Sequence, residues 1–128
     1  MSVGLVLVLA VAGGLGSVAR FVLDDVVGSR SSGRFPVGTM TINISGSFLL
    51  GIVTGLVLVA AVPPAWMLVA GTGFLGGYTT FSTASIDTVR LLRAGRVGAA
   101  LVSGAGTAVT ALLAAGFGLT LGILLVQL

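Results

Sequence analysis

The chain has 128 residues, 56% hydrophobic and only 7% charged, with a mean hydropathy of +1.23. Soluble domains carry about a quarter charged residues; this chain could not cover a water-facing surface, and lipid is the matching solvent. Six Arg stand against three Asp, with no Cys, His, Glu or Lys, which excludes disulfides, thiolate or imidazole metal sites and Ser-His or Cys-His nucleophile pairs, so no enzyme is expected. The pI near 11.3 reflects a small Arg excess in a nearly uncharged chain. No basic patch has interleaved aromatics, so it is not a nucleic-acid signal.

A membrane span needs roughly 20 apolar residues. The length therefore suits one all-α transmembrane domain of four helices over residues 1–128, with no separate soluble domain. The first apolar stretch runs from Val3 to Val27, interrupted by Arg20, Asp24 and Asp25. No positive segment precedes it and it exceeds a usual signal core, so a retained helix is expected. An arginine at the bilayer centre costs at least about 3 kcal/mol on insertion scales. Arg20 reads either as a topology anchor paired with Asp24, one turn on, or as an anion-attracting vestibule residue.

A polar loop from Gly28 to Arg34 follows, and Phe35-Pro36 marks a helix start. The second span is expected from Val37 to Ala61, ended by Pro63-Pro64. On it, Asn43 lies on one face with Thr39 and Ser47. A buried amide must satisfy two N–H donors and an acceptor oxygen. Asn43 reads equally as an interhelical hydrogen-bonding residue and as a pore-lining donor.

The third stretch, Ala65 to Leu92, has Gly71-Thr-Gly-Phe-Leu-Gly-Gly-Tyr-Thr-Thr-Phe-Ser-Thr83 at its centre. Each Gly costs about 1 kcal/mol against Ala in a helix. One reading is a closely packed helix. The favoured one is a helix broken at mid-membrane, with backbone groups freed near Gly76 to Thr79; such backbone survives in lipid only when buried or lining a polar cavity. Phe81, considered alone, reads as a packing residue. The fourth span is expected from Val97 to Val126. It carries Gly106, Thr110, Ala114, Gly118 and Gly122 at a four-residue step, and the second span carries Thr39, Asn43, Ser47, Gly51 and Gly55 at the same step. Small residues so spaced let helix backbones approach. The two stripes suggest an oligomer, with packing inside the chain as the alternative.

Three blocks, Gly13-Gly14-Leu-Gly-Ser-Val-Ala-Arg20-Phe21, Phe35-Pro-Val-Gly-Thr39-Met-Thr-Ile-Asn43-Ile-Ser-Gly46 and Gly73-Phe-Leu-Gly76-Gly77-Tyr-Thr79-Thr80-Phe81-Ser82-Thr83, agree in order and spacing with the Fluc (CrcB-like) fluoride channels. The chain resembles that family over nearly its whole length. The resemblance implies an antiparallel, inverted dimer with two fluoride pathways. It also implies a structural Na⁺ at the dimer centre, held by backbone carbonyls that map onto Gly76 and Thr79. The pathway would include Asn43, Phe81, Ser82 and Thr83, with Thr39 and, in looser correspondence, Ser103, Thr107 or Thr110. Arg20 would stand in the vestibule. One departure is clear: the family's second phenylalanine, three residues after the first, is Ala84 here, and a pathway needing that ring from this subunit lacks it. Conduction would be passive, by hydroxyl and amide donors that replace fluoride's water without a fixed cation along the track, and would remove fluoride that entered an acidified cell as HF.

Two other classes fit the size. A small multidrug-type exchanger would need a membrane-embedded Glu, which this chain lacks. A non-conducting structural subunit is compatible with Ala84. The six Arg lie in or beside the loops after spans one and three. By the positive-inside rule those loops face the cytoplasm of the inner or plasma membrane and both termini face outward. So strong a bias is at odds with dual insertion of one chain, so a heterodimer with an oppositely biased subunit is expected over a dual-topology homodimer.

Overall fold

The computed structural model describes residues 1–128, all as helices and short connections. Helix α1 covers Val3–Ser29 and α2 covers Val37–Leu58. The third stretch is two half-helices. The first, α3, is wide-turned over Met67–Leu75 and continues as ordinary helix through Gly76–Tyr78; the second, α4, is Phe81–Arg93. Helix α5 runs Val97–Leu125, with a short wide-turned segment at Val102–Gly106. Ser2 caps α1, its hydroxyl accepting from the Leu5 N–H at 3.2 Å. Proline before α2 withholds an N–H that has no partner in a first turn.

Three of these helices, α1, α2 and α5, are long and apolar enough to cross a membrane. At 1.5 Å per residue, the 27 residues of α1 reach about 40 Å, beyond the roughly 30 Å hydrocarbon core. Neither half of the third stretch is a full span. Only 18 of 128 residues are buried, and Leu7, Phe21, Leu112 and Phe117 stand exposed along the outer faces. A bundle so thinly cored and so apolar outside is stable only where lipid or another chain covers it.

The small-residue stripes meet each other inside the chain. A methyl group on Gly51 would overlap the Ala115 carbonyl, and one on Gly118 would overlap the Phe48 carbonyl. One on Gly55 would crowd Leu119, and one on Gly122 would crowd Ile52. The Gly51–Gly55 and Gly118–Gly122 ends of the stripes are thus spent on α2 against α5, the alternative that the sequence left open, and these glycines carry no argument for an oligomer. Helices α1 and α3 approach in the same way, with Gly77 against the Gly13 carbonyl and Gly16 against Phe74. The small core is Ile42, Leu75 and Tyr78, with Phe74 stacked on Tyr78 at 6.2 Å between ring centroids.

Candidate functional site at the helix break

The third stretch loses its helix at Thr79 and Thr80, both extended (φ −80°, ψ 160° and φ −147°, ψ 123°). The sequence expectation placed the non-helical turn at Gly76 to Thr79. Gly76 is in fact helical (φ −62°, ψ −39°), and the break falls at the threonine pair. Two β-branched residues favour extended backbone over helix, whereas the glycines before them serve a different need. Gly77 is where α1 comes too close for a side chain; Gly76 has only the Gly71 carbonyl, 3.9 Å from where its Cβ would stand.

Three side chains from two other helices hold the freed backbone. Asn43 donates from Nδ2 to the Thr80 carbonyl at 2.8 Å and accepts from the Thr80 N–H on Oδ1 at 2.8 Å. Arg20 donates from Nη1 to the Thr79 carbonyl at 3.3 Å, and Ser17 donates to the Gly77 carbonyl at 3.3 Å. On the far side the Thr80 hydroxyl accepts from the Thr83 N–H at 3.1 Å and caps α4. Backbone freed at membrane depth must find partners, since lipid offers none. Arg20 makes no ion pair with Asp24: the one ion pair of the chain is Arg90 with Asp87, at 4.0 Å. Its guanidinium is half-buried and turned toward the break.

Three cavities surround the break. The first, about 310 Å³, is lined by Asn43, Gly46, Ser47, Gly76, Thr79 and Phe81 among others. The second, about 390 Å³, lies between α4 and α5 and is lined by Asn43, Thr80, Phe81, Ala84, Ser85, Thr88, Ser103 and Thr107. Thr107 is 6% exposed, and its hydroxyl oxygen is the chain's one buried side-chain polar atom without a hydrogen-bond partner. An orphaned buried hydroxyl costs about 1–3 kcal/mol. The third cavity, about 310 Å³, is lined by Ser17, Arg20, Asp24, Thr39, Thr80 and Thr83.

The expected pathway residues are therefore divided. Asn43 and Phe81 line the first two cavities, and Thr107 joins them in the second. Thr39 and Thr83 lie with Arg20 in the third, where the Thr39 hydroxyl donates to Asp87 at 2.9 Å. Ser82 and Thr83 are exposed beside Phe81, itself 88% exposed. Thr110 is not brought to Asn43. Its hydroxyl donates to the Gly106 carbonyl at 2.8 Å, and it borders an apolar groove with Phe48 and Phe117. Ser85 and Thr88 were missed by sequence reasoning. Their signal was helical spacing from Phe81, which puts positions four and seven residues on along the same face.

The carbonyls of Gly76 and Thr79 are oxygen donors, the chemistry a hard cation takes. No cluster of three metal-ligating side chains occurs in the chain. Two carbonyls are too few for a shell of about six oxygens, and that of Thr79 is shared with Arg20.

The model of the CrcB-like protein family, described also as camphor resistance (CrcB), matches residues 7–119. The chain belongs to the CrcB-like family. Among its CrcB-like relatives is the fluoride-specific ion channel FluC 1 of Leifsonia xyli subsp. xyli, 56% identical over 117 residues, covering 91% of this chain and 85% of the relative. The fluoride-specific ion channel FluC 2 of Cutibacterium acnes is 46% identical over 117 residues, covering 89% and 94%. The fluoride-specific ion channel FluC of Solibacter usitatus is 44% identical over 90 residues, covering 70% and 74%.

Proposed function

We propose that the chain is one subunit of a passive fluoride channel, working as half of an antiparallel dimer. The observation that carries the reading is the braced break beside a cavity lined by Ser85, Thr88, Ser103 and an unpartnered Thr107 hydroxyl. Fluoride is small and strongly hydrated, and hydroxyls with a free proton can replace its water. Asn43, which lines the same cavities, keeps one N–H of its amide after bonding Thr80. The relatives' printed activity, fluoride-specific ion channel, supports the substrate.

Three considerations support a second subunit. Phe81 is an aromatic ring 88% exposed at the break. The open side of Gly76 serves no packing inside the chain. Two carbonyls from each of two chains would bring a central Na⁺ nearer its oxygen shell, and Gly76 and Thr79 are the residues that would hold it. The ion's part would be structural: neutralising carbonyl dipoles where two broken helices meet.

The partner is a related chain inserted the other way up. Arg20 reaches the break, while the other five Arg lie in or beside two loops that meet at one end of the bundle, where Arg96 donates to the Arg34 carbonyl. By the positive-inside rule that end is cytoplasmic and export runs outward past it. Ala84 leaves this subunit's own cavity with Phe81 but without the family's second ring, a defect one conducting pathway from the partner would offset. The numbered names FluC 1 and FluC 2 of two relatives are consistent with paralogous copies from which such a partner could come. Fluoride efflux from liposomes tests this, first with the chain alone and then with a paralogous partner. Efflux that appears or rises strongly with the partner is expected. Proton-coupled exchange would instead indicate an exchanger, and no flux in either case a structural subunit.

A further inference from the structure

One polar feature plays no part in the pathway. A cleft of about 300 Å³ lies at the Arg-bearing end, bounded by Gly33, Arg34, Phe35 and Pro36 on one side and by Arg90, Leu91 and Arg96 on the other. We propose that this cleft seats the phosphate of an anionic lipid headgroup, gripped by Arg34, Arg90 and Arg96.

Three arginines from separate parts of the chain, Arg34 before α2, Arg90 on α4 and Arg96 before α5, line it together with a single carboxylate, Asp87. That carboxylate is engaged: its side chain is 16% exposed, Thr39 donates to it, and Arg90 stands 4.0 Å away. The net charge around the cleft is therefore positive, and Arg90, with 78% of its side chain exposed, is free to turn toward a ligand. Arg96 is held in place by its bond to the Arg34 carbonyl, which ties the two loops across the cleft. Gly33 and Gly95 adopt φ +73° and +74°. Only glycine takes those turns without strain, and they let both loops fold back at the cleft mouth.

Guanidinium forks match phosphate oxygens two at a time, which favours phosphate over a simple halide. The surroundings select a lipid. Val37, Leu92 and Val97, each next in the chain to a lining residue, are exposed, as surfaces that acyl chains cover. Phe35 and Leu91 line its apolar side. Headgroup, glycerol and acyl chain would thus each meet surface of matching polarity. Basic pockets between transmembrane helices hold anionic headgroups for this reason. Such a site needs only that the helices lie in a membrane and is independent of fluoride conduction.

The test is native mass spectrometry of the full chain with phosphatidylglycerol or phosphatidylcholine of identical acyl chains. Phosphatidylglycerol should be retained preferentially. Each of Arg34→Gln and Arg90→Gln should lower retention roughly fivefold, the effect of one surface arginine on an anionic lipid. Arg93→Gln, which removes an equal charge outside the cleft, should change it far less. Arg90→Lys, which keeps charge and fold but loses the planar fork, should fall between. Equal retention of the two lipids, or an effect of Arg93→Gln as large as that of Arg90→Gln, overturns the site. Displacement of the lipid by inorganic phosphate at equal concentration would show a soluble-anion site and overturn the lipid assignment.

Discussion

Replacing Asn43 by Leu removes both hydrogen bonds that hold Thr80 open, each 2.8 Å long. Leu is close in size, so little packing is lost, and the cost is that of two unpaired backbone groups. Buried unsatisfied groups cost about 1–3 kcal/mol each, which gives about 2–6 kcal/mol for the pair. Side-chain bonds between membrane helices average only about 0.6 kcal/mol, because an unfolded helix in lipid finds other partners. That lower figure does not apply well here. The groups rescued belong to a fixed, non-helical turn, and they have no intrahelical partner to fall back on. The larger range therefore governs; as a shift in the population of the braced turn it should lower flux by tenfold or more, at about 1.4 kcal/mol per decade. Asn43→Asp separates bracing from mere size. It keeps the acceptor for the Thr80 N–H but sets an oxygen against the Thr80 carbonyl, and adds a charge that repels an anion. Its flux should fall as far as that of the Leu variant. The assay is fluoride efflux from liposomes, with helical content checked by circular dichroism. Flux within twofold of the parent in a well-folded Asn43→Leu protein would show that Asn43 only packs.

Thr107→Val removes an orphaned hydroxyl at nearly constant volume. It should raise thermal stability by about 1 kcal/mol while lowering fluoride efflux; lower stability would mean that the hydroxyl has a partner. Ala84→Phe should set a second ring edge in the cavity beside Thr107 and raise efflux from the chain reconstituted alone, and unchanged efflux would remove Ala84 as the defect in this pathway. Gly118→Ala would drive a methyl group into the Phe48 carbonyl. It should destabilise the monomer fold by about 1–3 kcal/mol, as overpacking does, seen as a lower melting temperature in detergent at any protein concentration. A loss that vanishes on dilution would assign that glycine to a subunit interface instead.

The membrane setting and the helix count were legible in composition and in apolar run length, because a span needs length and little charge and nothing else. The break was legible in kind, since glycines beside Thr-Thr make poor helix at any depth. Its position was not. The glycines looked like the breaking residues, yet they remain helical, and Gly77 is there for contact with α1. The small-residue stripes marked close helix contacts correctly, but periodicity carries no name for the partner. Only the packing assigned Gly51 and Gly118 to each other within the chain. Thr110 and Thr107 are neighbours on one helix, equal in chemistry. What separates them is rotation about the helix axis: Thr107 turns toward Asn43, and Thr110 toward an apolar groove. Arg20 and Asp24 had the right spacing for an ion pair, yet Arg20 reaches the Thr79 carbonyl. A guanidinium seeks whichever acceptor is least solvated, and the unpaired carbonyl exists only once the third helix has broken against the first. Residue type and spacing thus determined which groups had to be satisfied in lipid; the tertiary fold decided which group satisfied which, because partners far apart in the chain meet only through packing.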